Sequence, residues 1–511
     1  MAPRTTKGER LPLTGVITPP ARAESKSWTN KLVLLAVGVT TVLLSVGLTR
    51  SSRSAPLASV SLAEVGPQAP LCDTTAQSSG YIKLPKKKDG HLFYWFFESR
   101  SNPDTDPLVL WLTGGPGGSS MLALLSENGP CTVAADGVNT ISNPYSWTNN
   151  ANVIWVDQPI GSGFSYGTKH DYDHSSTEAG ANMYDFLQGW LKEHPKFAAH
   201  PFFVTGESFA GHYAPAVATA LLKTKPKAGD VKINLQGVAV GNGMHNSFTQ
   251  MHYQADYVNH NVYNKTLMSD IDFATYKQNV SAVTTLIGQC AQNDDALACT
   301  QAAAAFLPSI MRPLPDIAKV NQYDLRKPTD ASTAIAAVTK KDSGSGTKRP
   351  MFSKETTANI GNAHVHAFLN NPAIQSRLHV NPQGTTEWIE INSVVFTHFM
   401  GDFFRNYEGH VRDLLERGVR VLIYAGDADL VCNWKGNQAW TNELSWSGKA
   451  AFQAAAPANL TVDGVAKGVV QSANNFAFAR IYNAGHMVPQ DQPEAALAMI
   501  NRFLANAPLQ G

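Results

Sequence analysis

Residues 202–211 read FFVTGESFAG: an apolar run, a turn of small residues around Ser208, and then a helical pattern from His212 to Lys223. A serine hydroxyl becomes a useful nucleophile when a tight turn lifts it clear of a sheet edge and small neighbours let the backbone fold sharply. The match is G-x-S-x-A, with Ala210 at the last position. Such a serine needs a base and an orienting acid, expected further along the chain in the order acid, then histidine. Residues 419–429, VRVLIYAGDAD, form an apolar run that ends in two acids, Asp427 and Asp429, and the pattern leaves the choice between them open. Residues 479–487, ARIYNAGHM, place His486 in a loop just past another apolar run. A Gly-rich cluster, WLTGGPGGSS from Trp111, lacks the lysine of a phosphate loop and the spacing of a dinucleotide fingerprint. After an early strand, such a loop supplies a backbone N–H to an oxyanion, and the N–H of Phe209 is the second donor expected. No cofactor and no metal is expected. Asp427-Ala428-Asp429 lacks the later ligands of a calcium loop, and His364-Val365-His366 has no third ligand nearby.

These residues need rigid elements to hold them. Apolar runs rich in β-branched and aromatic residues recur at His91–Glu98, Leu108–Thr113, Asn152–Asp157, Phe202–Thr205, Leu235–Val240, Val419–Tyr424 and Phe476–Tyr482. Their nearly continuous apolar character predicts strands buried on both faces of a parallel sheet. Helical stripes lie between them, at Ala181, Tyr184, Leu187 and Leu191 and again at Ala496, Ile500, Phe503 and Leu504. The alternation predicts an α/β architecture with helices covering a mostly parallel central sheet. Residues 244–405 break the alternation, with few strand signals and the low-complexity run Lys340–Lys348. They are expected to form a cap inserted between the two parts of a catalytic domain, 67–243 and 406–511.

The chain has 511 residues, and 43% hydrophobic content supplies a large core. Lys+Arg 41 against Asp+Glu 40 leaves a net charge of +1, so no nucleic-acid partner is expected. The N-terminus is organised differently. Residues 1–31 carry Arg4, Lys7, Arg10, Arg22, Lys26 and Lys31 against Glu9 and Glu24. Residues 32–48, LVLLAVGVTTVLLSVGL, carry no charge, and 49–66 read as a Ser/Ala/Pro-rich linker. At 1.5 Å per residue the apolar run is about 25 Å of helix, and the basic flank predicts a cytoplasmic N-terminus with the remainder translocated. A transmembrane signal anchor is favoured over a cleaved secretory signal, because the run and the segment before it are both long for the latter. Sequons at Asn264, Asn279 and Asn459 agree with passage through the secretory lumen.

Taken together, WLTGGPGGSS at Trp111, DQPIGSGFSY at Asp157, GESFAGHY at Gly206, YAGDADLVCNW at Tyr424 and NAGHMVPQDQP at Asn483 resemble the serine carboxypeptidase family. NQYDLRKP at Asn321 and FLNNPAIQSRLHV at Phe368 are weaker echoes. The resemblance covers roughly Leu71 to Leu504. It implies an α/β-hydrolase fold and release of C-terminal amino acids from peptides and proteins, in an acidic, lysosome- or vacuole-like compartment or outside the cell. It implies Ser208 as nucleophile, His486 as general base and acid, Asp429 as the orienting carboxylate, and Gly115 and Phe209 as oxyanion donors. Thr113, Gly114, Glu127 and Glu207 would hold the substrate's terminal carboxylate, with Cys432 and Met487 at the leaving-group site. Two carboxyls side by side share a proton, because ionising both is costly. A protonated carboxyl can donate to a carboxylate, so binding is expected to weaken toward neutral pH. Two positions depart from the family pattern: Thr113 where asparagine is common, and Gly118 where a cysteine is usual. The remaining cysteines suggest Cys72–Cys131 and Cys290–Cys299, with Cys432 free.

The partners expected are peptide and protein C-termini, a membrane through the N-terminal segment and, as an assembly, a homodimer. Two other functions compete: an acyltransferase or esterase using the same triad, which the carboxylate-binding residues disfavour, and a non-catalytic binding or protective protein. The cheap signature of the last would be loss of a triad residue, and none is missing.

Overall fold

The computed structural model describes residues 71–293, 295–329, 362–384 and 387–511. Ten strands form one sheet: β1 (Gln77–Lys83), β2 (His91–Phe97), β3 (Leu108–Leu112), β4 (Asn152–Val156), β5 (Pro201–Glu207), β6 (Asn234–Gly241), β7 (Arg420–Gly426), β8 (Ala458–Val462), β9 (Val465–Ala473) and β10 (Phe476–Ile481). Their spatial order is β1-β2-β4-β3-β5-β6-β7-β10-β9-β8. The six central strands, from β4 across to β10, run parallel, and antiparallel pairings close both margins.

The seven apolar runs are the six central strands and β2. Within them, side chains alternate between two cores, as a period of two requires. Leu108, Leu110, Leu112, Phe202, Val204, Val238 and Val240 join one core, with Trp190 and Tyr213 of the helices α2 (Ser176–Glu193) and α3 (Ala210–Lys223). Val109, Trp111, Phe203, Ala239, Leu422 and Tyr424 join the other, with α1 (Ser120–Ser126) and the C-terminal helix Pro493–Leu504. The marginal strands β1, β8 and β9 leave much of one face half-buried or exposed, and their weak apolar alternation left them unread in the sequence.

Between β6 and β7 the described residues are mainly helical, including Asp270–Asn293 and Ala296–Phe306, whose junction is closed by the Cys290–Cys299 disulfide. Two short strands, Val320–Asn321 and Asp324–Pro328, pair with each other there. A second disulfide joins Cys72 to Cys131, and Cys432 is free and buried. Among the described residues no helix is long and apolar enough to cross a membrane. The expected anchor at 32–48, its flanks and the Lys340–Lys348 run lie outside the described residues. Asn264 and Asn459 are exposed and Asn279 is half-buried on its helix.

Candidate active site

The chain leaves β5 at Glu207 and enters α3 at Ala210, and between them Ser208 has φ 65°, in the left-handed region. That strained conformation persists only where surroundings hold it. Here the Ser208 N–H donates to Gly241 O (3.0 Å), and Ser208 O accepts from Gly211 N (2.9 Å) and Met244 N (3.0 Å). A Cβ on Gly206 would lie 2.4 Å from Leu112 O and 2.6 Å from Ala210 Cβ, so the turn requires glycine there.

His486 follows β10, and its N–H donates to Tyr323 O (2.8 Å). Its Nδ1 lies 2.6 Å from Asp429 Oδ2. A carboxylate that accepts from its other neighbours makes Nδ1 the donor of this pair and leaves Nε2 as the ring nitrogen free of it. Asp429 also accepts from Val431 N (2.8 Å), Cys432 N (3.1 Å) and Asn242 Nδ2 (2.8 Å). This decides between the two acids. Asp427 is committed to Arg480 (2.9 Å), Tyr263 (2.5 Å) and the Asn483 N–H (2.9 Å), which makes it a staple between loops.

Asn242 was missed in the sequence. At φ 41° past the end of β6, it donates to Asp429 and accepts from Gly426 N (3.0 Å), tying the acid's strand to its neighbour. Its signal was the G-N-G triplet at 241–243 directly after an apolar strand. Asn242→Ala is expected to lower kcat about ten-fold by losing one charge-assisted hydrogen bond, measured as the rate at saturating substrate.

Ser208 and His486 share the walls of one pocket with Thr113, Gly114, Gly115 and Glu207. The Gly-rich loop is pressed onto the serine turn: a Cβ on Gly114 would lie 2.4 Å from Phe209 N and 2.8 Å from Ser208 Cβ. Gly115, at φ 114°, occupies backbone space that favours glycine. Asp157 fastens this loop, accepting from Ser119 Oγ (2.6 Å), Ser120 N (2.9 Å) and Phe164 N (2.9 Å). Burial pushes its pKa up to about 6.

Glu127, at the end of α1, lies against Glu207, and both are buried. Burial raises Glu127 to about 7, and burial together with the Glu127 charge raises Glu207 well above the usual carboxylate range. One proton therefore stays on the pair under mildly acidic conditions.

Met487 lines the pocket, but Cys432 does not. The N–H of Cys432 points to Asp429, and its side chain lines a separate cavity with Met251, Phe306 and Phe404. Its sulfur still comes within 4.8 Å of the Asp429 and His486 ligand atoms. Tyr323, Glu390 and Ile391 complete the pocket from the segment between β6 and β7, and no role was assigned to them in the sequence.

A strand-end serine in left-handed backbone, a histidine oriented by a buried carboxylate, and a Gly-rich loop against the serine turn define a serine hydrolase of the α/β class. Residues 67–506 match the serine carboxypeptidase family, and the chain belongs to it. It is 36% identical over 440 residues to serine carboxypeptidase-like 48 of Arabidopsis thaliana, covering 85% of this chain and 79% of that protein. Serine carboxypeptidase 3 of Hordeum vulgare is 36% identical over 428 residues, covering 83% and 77% respectively. The crystal structure of Kex1(delta)p, a prohormone-processing carboxypeptidase from Saccharomyces cerevisiae, superposes with a TM-score of 0.69 at 25% identity, covering 84% of this chain and 92% of that one. The protein is a serine-type carboxypeptidase acting on peptide C-termini.

Proposed function

We propose that Ser208, His486 and Asp429 release single C-terminal residues through an acyl-enzyme, and that the enzyme works best at acidic pH. Ser208 Oγ attacks the last peptide carbonyl while His486 Nε2 takes its proton. The N–H groups of Gly115 and Phe209 receive the developing oxyanion. The C–N bond then breaks, His486 returns the proton to the leaving amine, and water attacks the acyl-serine by the same route in reverse.

The observation that carries this function is the buried Glu127–Glu207 pair at the serine. A protonated carboxyl donates to the substrate's terminal carboxylate, which places the last peptide bond, and no other, over Ser208. Gly114 and Thr113 complete the clamp. Trp111 Nε1 donates to Thr113 Oγ1 (3.0 Å), occupying that oxygen as an acceptor, so the hydroxyl proton is available to a carboxylate. In this way threonine retains a donor at the position where the family commonly has asparagine.

The pH dependence follows from sign. Burial raises both carboxyls, Glu127 to about 7 and Glu207 well above its usual range, so the pair is protonated at low pH and begins to ionise as pH rises through about 7. Each proton lost removes a donor and adds a negative charge facing the substrate carboxylate. KM for a benzyloxycarbonyl dipeptide is expected to rise at least ten-fold between pH 5.5 and 8, whereas KM for the matching blocked amino-acid ester, which lacks the carboxylate, stays within about three-fold. Parallel profiles for the two substrates would remove the carboxyl pair from binding. We assign residues 244–405 as a cap over the sheet and 32–48 as the membrane anchor, with Asn264, Asn279 and Asn459 as glycan acceptors in the lumen. The two disulfides agree with an oxidising compartment.

A further inference from the structure

We propose that His174 and His398 bind one divalent transition-metal ion of the zinc type, which clasps the segment between β6 and β7 to the chain that enters α2. The site lies outside the catalytic pocket and has no part in the hydrolysis.

The two rings come from positions 224 apart in the chain, and their Nδ1 atoms lie 3.4 Å from each other. His174 stands two residues before α2, and His398 closes the helix Ser393–His398. A separation of 3.4 Å is long for a hydrogen bond, which favours about 2.7–3.2 Å. Two imidazole nitrogens on one tetrahedral Zn²⁺, each about 2.0–2.1 Å from the ion, stand about 3.3–3.4 Å apart. The spacing therefore fits a shared cation better than a shared proton. Among the described residues neither imidazole makes another hydrogen bond, so no competing partner has to be displaced. His174 is exposed and His398 half-buried, which lets an ion enter with the waters that complete its shell.

Both ligands are held in place by their neighbours. Tyr172 stacks on the His398 ring, centroids 5.0 Å apart and planes 10° apart, and the His174 ring meets His398 at 75°. Tyr172 is itself seated on Gly161, where a Cβ would lie 2.6 Å from its Cε1. The His174 N–H donates to Glu178 Oε2 (2.8 Å), and the Glu178 N–H donates to Ser175 Oγ (3.2 Å). That turn fixes the backbone of one ligand and sets a carboxylate charge against the same residue, which favours a cation there. Imidazole donors select zinc, copper or nickel over magnesium and calcium, which prefer oxygen. The helix that ends at His398 is tied at its other end to the Gly-rich loop: the Asn392 N–H donates to Gly117 O (3.0 Å) and Asn392 Nδ2 to Gly161 O (2.7 Å). An ion on His398 secures the far end of that helix. Residue pattern offered no sign of this, because neither histidine belongs to a metal-ligand motif.

The test uses untagged full-length protein, stripped with a chelator and titrated at pH 7 with ZnCl₂ in competition with a chromophoric chelator. Wild type is expected to take up one equivalent of Zn²⁺ and to gain a few degrees in thermal midpoint, while MgCl₂ leaves the midpoint unmoved. His174→Ala and His398→Ala are each expected to weaken Zn²⁺ by about ten-fold or more and to abolish the midpoint gain. His174 is exposed, so His174→Ala should keep the metal-free midpoint and the kcat/KM of the parent, which separates a lost ligand from a damaged fold. Asp429, Cys432 and His486 also bring three ligand atoms within 4.8 Å of one another, and two readouts set them apart. His486→Ala should retain the Zn²⁺ equivalent, and Co²⁺ in the wild type should show ligand-field bands without thiolate charge transfer. No Zn²⁺ uptake by wild type, unchanged affinity in His174→Ala, or loss of the equivalent in His486→Ala overturns the proposal.

Discussion

Ser208→Ala is expected to lower kcat for a blocked dipeptide by about a million-fold, with KM and thermal midpoint close to the parent. Alanine keeps the Cβ, so the backbone at φ 65° and the hydrogen bonds from Gly211 and Met244 persist. What disappears is the atom that forms the acyl-enzyme. The clamp proposed at Thr113, Gly114, Glu127 and Glu207 is untouched by the substitution, which is why the loss should fall on kcat. A serine-directed phosphonate should label the parent at Ser208 alone, read by mass spectrometry of the peptide, and leave the variant unlabelled. Residual activity within a hundred-fold of the parent would sink the assignment of the nucleophile.

The second large effect is expected for Asp429→Asn, about 10⁴-fold in kcat at neutral to mildly acidic pH. Asp429 accepts from His486 Nδ1, Asn242 Nδ2 and the amides of Val431 and Cys432. Asparagine keeps one acceptor oxygen and brings two donor hydrogens into a site already surrounded by donors. With its NH₂ in the place of Oδ2, the amide donates to His486 Nδ1 and the imidazole then holds its proton on Nε2, while Asn242 and the Cys432 N–H lose the acceptor they share with His486. Nε2 can no longer accept from Ser208. Nitrogen chemical shifts of His486 should report the tautomer change along with the rate. Asp427→Asn is the control: it unties Arg480, Tyr263 and Asn483, so it should lower the thermal midpoint and leave kcat within about ten-fold. If Asp427→Asn cost more in kcat than Asp429→Asn, the orienting acid would be the other one.

Several parts of the site were legible before the fold was known. The turn around Ser208 could be read because a buried strand, a glycine and a helix stripe each leave a local signature. The central strands were legible for the same reason, since burial on both faces forces long apolar runs such as Leu108–Leu112. Asn242, Asp157 and Tyr323 were not, although Asp157 and Tyr323 stood within quoted motifs and Asn242 within the G-N-G triplet. A polar residue one step past a strand has the same local pattern whether it clamps a catalytic carboxylate or caps a turn. Cys432 was read as the free thiol near the site, and its sulfur comes within 4.8 Å of the Asp429 and His486 ligand atoms.

The sequence by itself determined that this chain builds a mostly parallel sheet, that a serine stands at the end of one strand, and that an acid and a histidine follow at the ends of later ones. Those features depend on which residues are buried and on periods of two and 3.6, both properties of short stretches of chain. Residue pattern alone left Asp427 and Asp429 open, and the pairing of Asp429 with His486 and of Glu127 with Glu207 came only from the family resemblance; the tertiary structure brings each pair together and sets Ile391 opposite Gly118. Each of these joins loops far apart in sequence. Their meeting is set by strand order, by register and by how the segment between β6 and β7 returns to the sheet, and none of these has a local pattern to read.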